Sequence, residues 1–153
     1  MKPLALAIAA MLAGASAPAH AVSETAEGFA AAMQGCWNRA SWSADIDAQR
    51  ADPGYSISSQ MCLSGGVEGA LTLLDCGGVN NLVECNQAGG RYVFAAEKFQ
   101  RIYDDGLLAG GSDSCDVFLE AGRQFTLRNC QWVVAPAAAE AIGDVVYERA
   151  IGQ

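Results

Sequence analysis

Apolar and polar residues alternate over short segments of the chain, and turn-forming residues separate these segments. In the segment from Tyr55 to Leu63, Ile57 and Met61 share one face, whereas Cys62 and the serines at 56 and 58 lie on the other. A period of two is typical of a β-strand with one buried face. The segment is therefore predicted to be a strand.

Eight to ten such strands are predicted, with Gly, Asn and Asp turns between them. Short strands at this spacing are typical of an all-β barrel or sandwich. Consecutive hairpins favour a mainly antiparallel, up-and-down β-barrel, closed so that no sheet edge is exposed. A disulfide-stapled β-sandwich is the alternative. The predicted strands cover 36–42, 55–63, 71–76, 82–85, 92–96, 99–103, 107–109, 115–121, 124–134 and 144–149.

Little helix is predicted. Ser23 can cap a short helix from about Glu24 to Gln34, which Gly35 would end and which would plug one end of the domain. The alanine-rich segment 136–142 is predicted to form a short helix before the last strand. The acidic segment 44–54 is predicted to be a loop.

The hairpin between Cys115 and Cys130 gives a rule for pairing the cysteines. A two-residue turn at 122–123, with Gly first, suits type II′ geometry because φ must be positive there. Folding about that turn places Leu119 opposite Thr126 and Cys115 opposite Cys130.

This register leaves the orientation of the hairpin undetermined. Val117 and Leu119 share the cysteine face, whereas Phe125 and Leu127 lie on the other face. Both faces therefore carry large apolar residues, and the pattern does not decide which one is inside.

A second turn follows the same rule. A two-residue turn at 80–81 places Cys76 opposite Cys85, because Asn tolerates the required left-handed backbone. Cys36 and Cys62 then remain as the third pair. The predicted disulfides are 36–62, 76–85 and 115–130, although sequence alone leaves other connectivities open.

The start of the chain predicts export. A short basic start, an apolar run over 4–15 and the segment Ala19–Ala21 are typical of a secretory signal peptide with an A-x-A cleavage site. The apolar run is shorter than the roughly 20 residues of a membrane span. The expected organisation is a signal peptide over 1–21 and one β domain over 22–153. Cleavage near Ala21 gives a periplasmic or secreted protein, which suits six cysteines in disulfides; an uncleaved anchor is the alternative.

Cleavage would also change the charge. It removes Lys2 and leaves 17 acidic residues against 8 basic ones, a formal charge of −9. Nucleic acids and anionic membranes are bound through basic residues. We therefore expect no nucleic-acid partner and no stable membrane insertion.

The residue types argue against an enzyme and against a cofactor. The only histidine is His20, which lies in the predicted signal peptide, so a Ser-His-Asp or Cys-His site is not available. Paired carboxylates at Asp45/Asp47 and at 104–105 are interpreted as solvated turn residues rather than an acid–base pair. The cysteines lack the clustered spacing of a zinc site, so no metal is expected.

Calcium was weighed for Asp45/Asp47 and for Asp113/Asp116. Calcium takes about six to eight oxygen ligands, and neither pair belongs to an ordered ligand motif. Neither pair is therefore predicted to be a calcium site.

The segment Gly35-Cys36-Trp37 resembles the G-x-W signature of the lipocalins and related calycin barrels, which include avidin and small bacterial metalloprotease inhibitors. The resemblance implies a barrel in which Trp37 closes one end and Arg149, from the last strand, packs across the indole. Both residues would then be structural.

Four aromatic residues, Trp42, Tyr92, Phe94 and Trp132, are the candidates for lining a ligand cavity. The expected function is an exported, non-enzymatic binding protein. Its barrel would hold a small apolar ligand, or its rim would contact a protein, possibly a protease. A protease inhibitor would need a free segment before Gly35. The alternative is a structural or envelope interaction domain without a cavity.

Overall fold

The computed structural model describes residues 26–79, 82–95, 98–120, 122–137, 139 and 141–150 of the 153-residue chain. Within them, eight antiparallel strands form a closed barrel, in which each strand pairs with the next and the last pairs with the first. The predicted up-and-down barrel is therefore confirmed. The strands are β1 Gly35–Trp42, β2 Tyr55–Gly65, β3 Glu68–Val79, β4 Leu82–Ala95, β5 Lys98–Tyr103, β6 Ser112–Glu120, β7 Gln124–Val134 and β8 Val145–Arg149.

Two α-helices and one 3₁₀ helix accompany the strands. Helix α1 covers Ala26–Met33, helix α2 covers Ser43–Ala51, and the 3₁₀ helix covers Gly106–Leu108. The predicted signal peptide lies outside the described residues. Among the described residues, no helix is long and apolar enough to cross a membrane.

The three disulfides have the predicted connectivity. Cys36 is bonded to Cys62, Cys76 to Cys85, and Cys115 to Cys130. The first two pairs are directly opposite each other in the strand register. Each bridge therefore joins neighbouring strands of the barrel.

The register of the β6–β7 hairpin differs from the prediction by one residue. Residues 121–123 form the connection, and Leu119 pairs with Phe125. Because side chains alternate between the two faces of a strand, a shift by one residue exchanges the faces of the whole segment. Val117, Phe125 and Leu127 are consequently all buried in the barrel. In the predicted register these apolar residues were divided between the two faces of the hairpin. In the observed register they share the inner face.

A β-bulge in β7 restores the cysteine pairing. One residue of β6, Cys115, faces two residues of β7, Asn129 and Cys130. Asn129 has φ of 51°, in the left-handed region that Asn adopts more readily than most residues. The extra residue in the bulge compensates for the extra residue in the turn. The predicted disulfide therefore forms although the predicted turn was wrong.

Three further element predictions were wrong. Segment 44–54 is mostly helical, because α2 has Asp45 in its first turn and Arg50 in its last turn, which suits the helix dipole. Residues 107–109 are not a strand, since the 3₁₀ helix occupies this position. The described residues of 136–142 are not helical; instead Ile142 presents its carbonyl to the Trp42 indole, which donates a hydrogen bond to it.

Strand β4 is continuous, whereas two strands separated by Gly89 and Gly90 were predicted. A Cβ atom on Gly90 would lie 2.0 Å from the carbonyl oxygen of Ile102 in β5. The glycine therefore permits close approach of two backbones rather than a turn.

Helix α1 closes one end of the barrel. The fully buried Trp37 donates a hydrogen bond of 2.8 Å from its indole to the carbonyl of Met33. The Arg149 guanidinium lies 4.2 Å from the centre of the Trp37 ring system and donates hydrogen bonds to the carbonyls of Ala32 and Gln34, at 2.7 and 3.0 Å. The contact between Arg149 and Trp37 that the resemblance implies is thus present, and it also holds the helix.

The disulfides should stabilise the barrel in the order of their loop lengths. The bridged cysteines are separated by 26, 15 and 9 residues in the pairs 36–62, 115–130 and 76–85. Loop-closure entropy then predicts losses of about 3.5, about 3 and about 2.6 kcal/mol when each pair is replaced by alanine. Urea unfolding of the three double variants measures these losses. A larger loss for 76–85 than for 36–62 would contradict the prediction.

Replacing Arg149 with alanine should reduce the free energy of unfolding by about 2 kcal/mol, because the stacking on Trp37 and the hydrogen bonds to the carbonyls of Ala32, Gln34 and Gly122 are lost. The exposed neighbour Arg123 provides the matched control, and its replacement with alanine should change stability by less than about 0.5 kcal/mol. Both values follow from urea unfolding. Equal effects of the two substitutions would show that Arg149 does not secure the helix.

Candidate functional site

The end of the barrel opposite α1 contains a cavity of about 190 Å³. For comparison, an apolar cavity of about 150 Å³ holds benzene. The cavity therefore has room for a ligand with about one ring. Its walls are mainly aromatic and aliphatic, with contributions from Leu73, Trp42, Tyr103, Trp132, Val145 and Tyr147.

The interior side chains change from apolar to polar along the strands. On β5, Phe99 lies towards the closed end, and Arg101 and Tyr103 follow on the same face towards the mouth. On β6, the interior residue nearest the mouth is Asp113, whereas Val117 lies towards the closed end. The period of two within each strand thus brings charged residues to one level of the barrel.

Arg101 and Asp113 form a buried ion pair beside the cavity. The Arg101 Nε and Nη2 atoms donate to the two carboxylate oxygens of Asp113 at 2.9 and 2.8 Å, and the Tyr103 hydroxyl donates to Asp113 at 3.1 Å. The side chains of Arg101 and Asp113 are only 5% and 1% exposed. This bidentate geometry satisfies both carboxylate oxygens and fixes the guanidinium plane.

The surroundings also determine the charge states of Arg101, Tyr103 and Tyr147. Burial opposes the charge of Arg101, but the neighbouring Tyr103 and Asp113 oxygens outweigh it, so the pKa of Arg101 is raised. Burial raises the pKa of Tyr103 and of Tyr147 above the ordinary value of a phenol. At neutral pH, the cavity is therefore lined by neutral phenols and a charged guanidinium.

A second arginine, Arg39, is held by two carboxylates at the rim of the cavity. It forms a bidentate pair with Asp45 at 2.6 and 2.8 Å, contacts Asp75 at 2.9 Å and donates to the hydroxyl of Ser59 at 3.1 Å. Its guanidinium lies 4.6 Å from the Trp42 ring centre. Burial lowers the pKa of Arg39, but both carboxylates raise it by a larger amount.

A groove of about 410 Å³ adjoins the cavity beneath α2. Arg39, Trp42 and Asp75 line both the cavity and the groove. Glu84 lines the groove but not the cavity. The Asp75 side chain is 39% exposed. Asp75 therefore stands where the cavity meets the groove.

The structure brings together two of the four aromatic candidates. Trp42 and Trp132 line the cavity. Tyr92 and Phe94 instead belong to the apolar core near the closed end, where Phe94 stacks on Phe99 with ring centres 4.8 Å apart. They do not line this cavity, because on β4 these interior positions lie at the filled end of the barrel.

Tyr92 contributes to the attachment of the neighbouring segments. Its hydroxyl accepts a hydrogen bond from the Gln34 amide and donates one to the carbonyl of Gly66, each at 3.0 Å. Its polar atom is thus satisfied within the core.

The carboxylate pairs that were weighed as calcium ligands are separated by the fold. Asp45 is paired with Arg39, whereas Asp47 lies 3.5 Å from Arg50 on α2. Asp113 points into the barrel, and Asp116 is paired with Lys98 at the surface. In the part of the chain that the structure describes, no group of three His, Cys, Asp or Glu residues could hold a metal ion.

The adjacent acids at 104–105 also act separately. Asp104 forms an exposed ion pair with Arg91 at 3.2 Å, and Asp105 accepts a hydrogen bond from the backbone of Gly89. Both interactions hold the β5 end against β4.

Sequence reasoning did not identify the charged residues of the cavity. Arg101 lies two residues from both Phe99 and Tyr103. A strict period of two on β5 places all three on one face. This was the available signal for an interior arginine, whereas its partner Asp113 required knowledge of the β5–β6 pairing.

Replacing Asp113 with alanine should cost about 3–5 kcal/mol of stability, because the Arg101 charge remains buried without its partner. The double replacement Arg101→Met with Asp113→Leu should recover most of that loss or exceed wild-type stability. Urea unfolding of both variants tests this. If the double variant is no more stable than the single one, the pair contributes to stability in a way that packing cannot replace.

Comparisons with protein-family models, with curated proteins and with solved structures found no significant match. The functional argument therefore depends on the geometry of the cavity.

Proposed function

We propose that this chain is an exported, non-enzymatic binding protein that holds a small, largely apolar ligand in the cavity at the barrel mouth. The observation that carries the proposal is the contrast between the two barrel ends. One end is filled by side chains and covered by α1, whereas the other contains the cavity lined by Trp42 and Trp132. A concave, mainly apolar site with a few fixed polar groups is typical of ligand binding.

The attachment of α1 favours a ligand over the insertion of this segment into a protease. Ala30 and Met33 are buried against the barrel, and Arg149 and Trp37 bind carbonyls of the helix. Entry into a protease cleft would require these contacts to break. We therefore place the proposed function at the opposite end.

The chemistry of the cavity supports binding without catalysis. All six cysteines are in disulfides, and His20 precedes the predicted cleavage site. Asp113 and Asp45 are each held in a bidentate pair with an arginine, which removes them from general acid–base roles.

The barrel also supports the proposed relation to calycins and the proposed export. The arginine from the last strand stacks on the first-strand tryptophan. Three disulfides are typical of an oxidising compartment. Periplasmic or secreted location is part of the proposal.

A protein partner at the rim is the second candidate. Large apolar side chains are exposed at Leu107, Val133 and Val134. Such residues contribute to protein contacts when they form a continuous patch. Native mass spectrometry of the protein purified from its own envelope distinguishes the two, since a retained small mass supports the cavity and a retained protein supports the rim.

Filling the cavity should abolish ligand binding without unfolding the barrel. Val145 lines the cavity, whereas Val146 faces the other side of β8. Val145→Phe should therefore prevent a single-ring probe such as benzyl alcohol from shifting the indole NMR signals of Trp42 and Trp132, and the matched control Val146→Phe should not.

The third tryptophan is an internal reference for this titration. Trp37 is fully buried at the closed end, so its indole signal should stay fixed throughout. The proposal fails if benzyl alcohol shifts no cavity signal in the wild-type protein. It also fails if Val145→Phe binds the probe as the wild type does.

A further inference from the structure

The charges around the cavity do not balance. Two carboxylates, Asp75 and Asp113, and two arginines, Arg39 and Arg101, line the cavity itself. A third carboxylate, Asp45, lines the adjoining groove and pairs with Arg39, so the cluster has three carboxylates against two arginines. The site therefore carries one negative charge in excess. Glu84 adds another carboxylate to the wall of the adjoining groove.

Both arginines already have carboxylate partners. Asp113 occupies Nε and Nη2 of Arg101, and Asp45 occupies Nε and Nη2 of Arg39. Asp75 and the Ser59 hydroxyl take further contacts with Arg39. An anionic ligand at Nε or Nη2 of either arginine would have to displace a carboxylate from a charge-assisted bond, which opposes its binding.

Asp75 has capacity for a cation. Its two oxygens contact Arg39 at 2.9 and 3.3 Å, which uses about two of the roughly four acceptor positions of a carboxylate. Asp113 is almost completely buried, whereas Asp75 is partly exposed to both the cavity and the groove. Asp75 is thus the carboxylate that a ligand can reach.

The walls next to Asp75 also favour a cation. Trp42, Tyr103, Trp132 and Tyr147 surround the cavity, and the faces of aromatic rings attract positive charge. The phenols of Tyr103 and Tyr147 remain neutral, so Asp75 is the anionic group that a cation would meet.

We propose that the ligand is a small organic cation, with an ammonium group beside Asp75 and an apolar body of about one ring among the aromatic walls. This inference rests on the proposed function, because it names the ligand class of that same cavity. The apolar body would gain contact area in the cavity, and the ammonium would offset the excess negative charge.

Three single-ring probes of similar size test the charge preference. Benzylamine is cationic at neutral pH, benzyl alcohol is neutral and benzoate is anionic. Each is titrated into the oxidised mature protein, and binding is measured from the indole signals of Trp42 and Trp132. We expect benzylamine to bind about tenfold more tightly than benzyl alcohol and benzoate to bind more weakly than both.

A variant that removes the charge of Asp75 tests whether this residue causes the preference for benzylamine. Asp75→Asn retains the shape of the side chain and leaves Arg39 paired with Asp45. Benzylamine should bind about tenfold more weakly to this variant, while the affinity for benzyl alcohol stays within about twofold. The control Asp116→Asn removes one surface charge next to Lys98, away from the mouth, and should leave both affinities unchanged.

The outcomes separate the two proposals. Benzyl alcohol binding as well as benzylamine, or benzoate binding better than either, overturns the cation preference and leaves the ligand cavity supported. An equal loss of benzylamine affinity in the Asp75 and Asp116 variants overturns the role of Asp75. If no probe shifts Trp42 or Trp132, the ligand cavity itself is overturned.

Discussion

The pairing of β1 with β8 is the constraint on which the other features of this protein depend. It closes the sheet and leaves each strand with two neighbours, so that every strand has a defined inner and outer face. It also places Trp37 directly opposite Arg149. The stacking pair, the docking of α1 and the filled end of the barrel all follow from this closure.

Closure creates an interior that must be either filled or left as a cavity, and this chain does both. Near α1, the rings of Trp37 and Phe125 pack edge to face with centres 4.8 Å apart. Phe125 also stacks at 4.9 Å on Tyr147, which in turn reaches the cavity. Towards the mouth, charged residues replace apolar ones. A buried ion pair loses much of its attraction to desolvation, so it is a poor substitute for apolar packing. The charged level is better understood as a specialised site than as part of the stabilising core.

The sequence predicted the features that depend on local chemistry. Cysteine spacing, turn residues and the period of two predicted the barrel and its disulfides, although the turn at 122–123 was wrong. The position of Trp37 was implied by the resemblance to calycins. The features that depend on pairing between strands were less accessible. Tyr92 and Phe94 have the composition of cavity residues, but only the height of each position in the barrel separates them from Trp42 and Trp132.

Helix α2 illustrates the same limit. Its segment is acidic, polar and without buried residues, so its sequence is similar to that of a loop. The helix is held by Arg39 of strand β1, which forms an ion pair with Asp45 in the first turn of α2. Tertiary contact therefore decided a local conformation that propensity left open.

Between Cys115 and Cys130, the hairpin of β6 and β7 contains two one-residue additions, one in the turn and one in the bulge at Asn129. Each addition shifts the strand register by one residue, and the two shifts cancel at Cys130. Between the turn and the bulge the shift remains, so residues 124–128 face the other side of the sheet from that expected for a hairpin with a two-residue turn and no bulge. The Cys115–Cys130 disulfide thus defines which two cysteines are aligned, but it does not define the strand register of the residues between them. In evolutionary terms, the turn and the bulge are places where the hairpin can lose one residue: a shorter turn would still leave Glu120 opposite Gln124, and loss of Asn129 would still leave Asp116 opposite Arg128, so the core pairs would be kept.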